Sequence, residues 1–115
     1  MKTLPKNTKL GRLKKRSEFL YVKNGRYRAQ GGLVLQIREN PDHNGLRVGF
    51  TATKRIGNAV KRNRARRRLR AVVHQVFPHK ARPGHDYVVI ARHSTLERPY
   101  EKLVYDLEKA LISLN

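Results

Sequence analysis

The chain has 115 residues, with 27 Lys and Arg against eight Asp and Glu and a formal charge of +19. That is the size of one ordinary domain, and 38% hydrophobic residues suffice for a core without metal or disulfide staples. Cysteine is absent, which excludes disulfides and thiolate metal sites. No apolar run approaches the ~20 residues of a membrane span, and so large an excess of one charge points to a polyanion partner.

Residues 1–13 read as an extended basic arm around Pro5 and Gly11. Lys14-Lys15-Arg16 leads into Ser17-Glu18 rather than an apolar signal core, so a cytoplasmic location is expected. Ser17 to Gly25 reads as a short helix, capped by Ser17 and ended by Asn24-Gly25. A short strand is expected near Arg26 to Arg28, before the Gly31-Gly32 break. Leu33 to Arg38 alternates, with Leu33, Leu35 and Ile37 on one face. The turn cluster Asn40 to Gly45 predicts a hairpin with Leu46 to Thr53, where Leu46, Val48, Phe50 and Ala52 share a face.

Asn58, after Gly57, is the expected N-cap of a helix running to about Phe77, where Pro78 stops it. Asp86 to Arg92 is a compact apolar strand, expected at the centre of the sheet. Pro99 suits the first position of a last helix, and Leu96, Tyr100, Leu103, Val104, Leu107, Leu111 and Leu114 recur at helical spacing. The whole of 1–115 thus reads as one domain of α+β or α/β class. It is a two-layer sandwich of one mixed sheet, about four strands, and three helices in the order α-β-β-β-α-β-α.

Charge is concentrated. Residues 54–70 hold nine basic residues and no acid, and residues 1–16 hold seven and none. Around the long helix, Leu69, Val72, Val73, Val76 and Phe77 form one apolar stripe. Lys61, Arg62, Arg64, Arg66, Arg67, Arg68 and Arg70 spread over most of the circumference, with Arg62 in line with Leu69. The first turns are therefore expected at the sheet edge. A helix N-terminus is partly positive and favours acids, so each cation there costs ~0.3–1 kcal/mol at low salt. A phosphate would reverse the sign, with backbone N–H groups near Asn58 and Ala59 as further donors. The predominance of Arg suits bidentate phosphate contact.

A membrane-surface helix would need bulky apolar residues opposite the charge, and the first half has only Ala59, Val60 and Ala65. No zinc spacing, basic zipper or helix-turn-helix is evident, which favours shape and backbone recognition of a structured RNA over DNA. His43, His74, His79, His85 and His93 show no metal spacing and read as surface or linker residues. Glu97, Glu101, Asp106 and Glu108 read as solvated partners of Lys102 and Lys109. Asp42 and Asp86 read as turn residues. No catalytic constellation or metal site is expected in the chain itself.

Lys54-Arg55-Ile56-Gly57-Asn58-Ala59-Val60-Lys61-Arg62-Asn63-Arg64, followed by Arg67-Arg68 and Arg70, resembles the signature of the bacterial ribonuclease P protein subunit. Arg12-Leu13-Lys14-Lys15, Phe19, the strand Arg47 to Thr53 and the strand Tyr87 to Arg92 fit it in order. The resemblance implies a left-handed β-α-β crossover, where topology rules favour the right-handed one. It also implies partnership with a catalytic RNA, which holds Mg²⁺ and removes the 5′ leader of precursor tRNA, with no organic cofactor. Lys54, Arg55, Arg62, Asn63, Arg64, Arg67 and Arg68 fall on the motif that faces that RNA. Asn58, Lys61, Arg66 and Arg70 join them by charge and position, as do Arg12, Lys14 and Lys15 as N-terminal basic contacts. Phe19, Val34, Gln36, Thr51 and Thr53 map to the cleft for the single-stranded leader. Gln36 stands where related proteins can carry an aromatic residue, which makes Tyr21 a candidate replacement. A purely structural RNA-binding protein of ribosomal type is the alternative.

Overall fold

A computed structural model describes residues 10–115. Its elements are β1 (Leu10–Arg12), α1 (Arg16–Lys23), β2 (Arg26–Gln30), β3 (Leu33–Glu39), β4 (Leu46–Thr51), α2 (Ala59–Lys80), β5 (His85–Ala91) and α3 (Tyr100–Leu114). The strands form one mixed sheet in the order β1-β4-β5-β3-β2. The α+β class and the three helices agree with the expectation, and the strand count rises to five. The additional strand comes from the segment read as a basic arm: Leu10 to Arg12 pair in parallel with Leu46 to Val48. Leu13, at the end of that arm, is buried beneath α1, and residues 1–9 lie outside the described residues.

The expected hairpin between β3 and β4 does not form. β5 lies between them, antiparallel to β3 and parallel to β4. Its composition explains this: every residue of β5 except Ile90 is buried, so it needs a neighbour on each side and cover on both faces. The 40–45 turn therefore spans one strand. The tight hairpin is β2–β3, turning at Gly31-Gly32. Gly31 has φ +53, and a Cβ there would meet the Asp106 carboxylate at 2.2 Å, so this turn requires glycine.

On one face Leu33, Leu35, Ile37, Val48, Tyr87 and Val89 meet the α2 stripe of Ala65, Leu69, Val72, Val73, Val76 and Phe77. Leu103, Leu107, Ala110, Leu111 and Leu114 of α3 complete this core. Each such side chain contributes about 1.5–3 kcal/mol by leaving water. Leu96, expected on the last helix, belongs instead to a preceding 3₁₀ turn, His93–Leu96. Pro99 has ψ 140 and stands at the cap, one position before the helix. Pro78 does not stop α2 at once. It lacks one backbone donor, yet the helix continues to Lys80 and ends as Ala81 N–H donates to Phe77 O.

α1 crosses the opposite face, adding a partial third layer to the two-layer sandwich. The reason is again β5, whose Val88 needs cover and receives it from Val22 and Leu13. Ser17 is not the cap of α1. The helix starts at Arg16, and Glu18 Oε1 accepts from the N–H groups of Lys14 and Lys15, both at 2.8 Å. Those two bonds, Lys15 first, hold the Glu18 carboxyl below its usual value. Arg47 Nη1 then donates to Glu18 Oε2 at 3.1 Å, while its Nε and Nη2 donate to the Asp86 carboxylate at 2.9 and 2.7 Å.

Asp86 is thus no turn residue. It is fully buried in β5 and also accepts from Asn40 Nδ2 at 2.9 Å and meets His43 Nε2 at 2.8 Å. Gly45 N–H donates to His43 Nδ1, so the neutral ring with its proton on Nε2 satisfies both contacts. Burial pushes the Asp86 carboxyl up, but the bonds from Arg47, Asn40 and His43 outweigh it, and the net shift is downward. Asp106 is likewise buried, not solvated. It accepts from Arg98 Nε and Nη2 and from Gly32 N–H, tying α3 to the β2–β3 turn. His85 is also buried, with Nδ1 2.9 Å from Pro83 O.

Arg47→Met should lower the unfolding free energy by about 3 kcal/mol, because a buried carboxylate loses its charge partner. Urea midpoints at pH 7 measure this. Asp86 and Glu18 both titrate lower folded than unfolded, so the unfolded chain binds more protons in acid. Their stabilisation is present at neutral pH and is lost as pH falls, between roughly pH 5 and 2. The Tm-versus-pH slope there should be shallower in Arg47→Met, and equal slopes would contradict the role given to this bridge.

Candidate nucleic-acid interface

The start of α2 is built by local backbone chemistry. Thr53 is exposed beyond β4, and Lys54–Ile56 form a 3₁₀ turn pinned by buried Ile56. Gly57 then takes φ +139, where a Cβ would meet Lys61 Cδ at 2.7 Å. Asn58 caps the helix as expected: its Oδ1 accepts from Lys61 N–H at 2.9 Å. The first turn carries no acid.

The basic residues divide by what their side chains already do. Lys54, Arg55, Asn58, Lys61, Asn63, Arg64 and Arg67 are exposed. Arg62 is half-buried, in line with the apolar stripe, and its Nη1 donates to Gly57 O at 2.8 Å. Arg66 donates to Asn63 Oδ1 at 2.6 Å. Arg68 is an internal strut, donating to Thr95 O at 2.5 Å and Arg98 O at 2.6 Å. Arg70 faces the other way, over the Phe50 ring at 5.6 Å and beside Leu10 and Arg12 of the β1 edge. Its Nε is buried without a partner among the described residues. Lys61, Arg64, Arg67 and Arg68 line an open groove of about 690 Å³, closed on its far side by Leu96, Glu97, Arg98 and Pro99. Arg12, Lys14 and Lys15 are exposed near the β1–α1 junction, away from this groove. Arg98 is a groove residue that charge patterning did not single out, since it lies outside the basic run.

The second region is the sheet face that α1 leaves open. Register places Thr51, Ile90, Val34 and Ala29 in one row across β4, β5, β3 and β2. The next row is Gly49, Val88, Gln36 and Tyr27. Val34, Gln36, Thr51 and Ile90 are all half-buried. Phe19, also half-buried, lies over Gly49, where a Cβ would come within 2.5 Å of its ring. The structure therefore brings Phe19, Val34, Gln36 and Thr51 to one cleft, with Thr53 past its end. Ile90, Ala29 and Tyr27 belong to the same surface and were missed. The alternation of Val88 and Ile90 with Tyr87 and Val89 carried the signal for Ile90, but the cross-strand register did not follow from sequence.

Tyr21 does not open onto the cleft. Its hydroxyl donates to Glu39 O at 2.6 Å, and Arg38 stacks on its ring at 4.0 Å. Among the described residues no three His, Asp or Glu side chains gather as metal ligands, and no helix is long and apolar enough to cross a membrane.

A family model described as Ribonuclease P matches residues 8–115. The chain belongs to the ribonuclease P protein family. A ribonuclease P protein component from Paramagnetospirillum magneticum is 54% identical over 108 residues, covering 90% of this chain and 81% of the relative. One from Caulobacter vibrioides is 47% identical over 115 residues, covering 99% and 77%. The structure of the Staphylococcus aureus RNase P protein superposes with a TM-score of 0.73 at 27% identity, covering 90% of this chain and 94% of that one. The Thermotoga maritima RNase P protein shares the fold, with a TM-score of 0.64 at 23% identity.

Within this ribonuclease P protein, the division of arginines has a measurable consequence. Arg68→Ala strips donors from two carbonyls of the 92–99 connection and should cost about 1–3 kcal/mol. Arg64→Ala should stay within about 0.5 kcal/mol of the parent. Thermal melts of the two variants decide it, and equal stabilities would remove the strut role from Arg68.

Proposed function

We propose that this subunit of ribonuclease P binds the catalytic RNA through the start of α2 and the 5′ leader of precursor tRNA in the cleft beside α1. In this way it assists Mg²⁺-dependent endonucleolytic removal of the leader in the cytoplasm. One observation carries the reading: exposed Lys54, Arg55, Lys61, Arg64 and Arg67 crowd a helix N-terminus whose first turn has no acid. Their mutual repulsion and the helix dipole both oppose that arrangement until phosphates approach.

The chain's own residues bind and orient. Arg64 and Arg67 present planar donors to RNA phosphates from the groove wall. Asn58 fixes the helix start, and Arg68 holds the opposite wall in place. In the cleft, Thr51 and Gln36 offer hydrogen bonds to an unpaired strand, while Phe19, Val34 and Ile90 offer apolar contact to its bases. The metal is assigned to the RNA: of this chain's eight acids, Asp86 and Asp106 lie inside the fold, Glu18 is bound to Arg47, and Glu97 is the lone acid among the groove-lining residues. DNA is not an expected partner.

Reconstitution tests the assignment. With a ribonuclease P RNA at low Mg²⁺, the chain should stimulate precursor tRNA cleavage and tighten precursor binding relative to mature tRNA. Absence of both effects would leave the reading without support.

Salt dependence tests the surface. Arg64→Ala with Arg67→Ala should weaken RNA binding and reduce the slope of log K against log salt by about 1.5–2. An unchanged slope would show that these side chains do not meet phosphates.

A further inference from the structure

We propose that Tyr27, on the edge strand β2, stacks an unpaired base of the bound strand and forms the far end of the cleft. The inference rests on the cleft reading above and adds a residue to it. Tyr27 is 70% exposed, in a strand where tyrosine is favoured for half-buried packing rather than for open water. It stands directly opposite Gln36, on the face that carries Val34 and Thr51. Its diagonal neighbour across the pair is Val34, within reach of an aromatic ring.

The other rings near this surface are committed. Tyr21 is bonded to Glu39 and covered by Arg38, and Phe19 lies down over Gly49. Tyr27 has neither a ring partner nor a hydroxyl partner among the described residues. Phe19 above β4 and Tyr27 on β2 bracket one row across four strands, about 14 Å apart by strand spacing. Between them Val88 is buried under α1, so the open part of the row runs from Gln36 to Tyr27, beside half-buried Val34 and Ile90. An open strip with an aromatic at its far end and the Gln36 amide next to it suits a base of a single strand. Arg26 and Arg28 stand opposite Ile37 and Leu35, so alternation turns them to the other face, and they add positive charge only along the exposed sheet edge.

The test compares Tyr27→Ala and Tyr27→Phe in the enzyme reconstituted with a ribonuclease P RNA. Affinities are measured for precursor tRNA with a short single-stranded leader, for mature tRNA, and for the catalytic RNA. At 70% exposure both variants should fold like the parent, checked by thermal melts. Loss of a stacked base corresponds to roughly 5- to 150-fold in affinity. Tyr27→Ala should therefore weaken precursor binding at least about 5-fold and leave mature tRNA and catalytic RNA within about 2-fold, while Tyr27→Phe retains parent affinity. Unchanged precursor binding in Tyr27→Ala overturns the proposal. So does equal loss for all three RNAs, or equal loss in Tyr27→Phe, which would make the hydroxyl the contact. If the parent itself does not distinguish precursor from mature tRNA, the cleft reading fails at its root. If the parent distinguishes them and Tyr27→Ala does so to the same degree, only the role of Tyr27 fails.

Discussion

The paired carboxylate of Asp86 organises this molecule. It sits inside the central strand, and Arg47 joins it from the parallel neighbour β4 and reaches on to Glu18 of α1. Asn40 and His43 bring the 40–45 turn to the same group. One acid thus fixes two strands, a helix and a loop. In a chain with eight acids and 27 Lys and Arg, that use of an interior position is selective. Asp106 does the same for α3 and the Gly31-Gly32 turn. A buried ion pair is a weak source of net stability, but removing one partner is costly, so these pairs act as locks on geometry. The Asp86 lock holds α1 across one end of the sheet face. Tyr21, bonded to Glu39 O and covered by Arg38, and Val22, packed on Val88, hold α1 to the same part of the face, and the rest stays open as the cleft.

The outer charges obey the opposite rule. α2 carries its cations where no acid of its own first turn answers them. The cost is tolerated because the second half of the helix is anchored by six buried residues, from Ala65 to Phe77. The small side chain of Ala65 lets the basic half approach the sheet without burying an arginine head. Arg62 and Arg68 show that position in the run does not decide use. Both are turned onto backbone carbonyls, whereas Arg64 and Arg67, between them in sequence, remain exposed. The groove is therefore shaped by some arginines and lined by others.

Much of this was legible in the sequence. Period-two alternation identified the buried faces of β3 and β4, and Asn58 after Gly57 marked the helix start. The apolar stripe of α2 was read from Leu69 to Phe77, and only Ala65, one turn earlier, was left out of it. What failed was non-local. The hairpin expectation for β3 and β4 rested on a turn signal, and no turn signal reveals that a later strand will insert between two earlier ones. Asp86 and Asp106 were read as exposed because acids usually are. Their partners, Arg47 and Arg98, lie 39 and eight positions away, outside the helical spacings that pairing rules use. The arm was read as unpaired because three residues beside Gly11 carry no period. In the cleft, alternation placed Val34, Gln36 and Thr51 correctly, yet Tyr27 and Ile90 join them only through register.

The two candidate surfaces are also continuous. Thr51 ends β4, Thr53 follows it exposed, and the Lys54–Ile56 turn leads directly to the Asn58 cap. The cleft floor therefore runs into the basic helix start through the short connection of residues 52–58. That continuity follows from β4 and β5 being parallel neighbours, since a parallel pair needs a crossover and the crossover here is α2 itself. The proposed single-strand contact at the sheet and the proposed phosphate contact at the helix are thus two ends of one chain segment. A displacement of β4 by one register would move Thr51 off the cleft row and carry the N-cap with it, so the lock at Arg47, within the same strand, constrains both surfaces together.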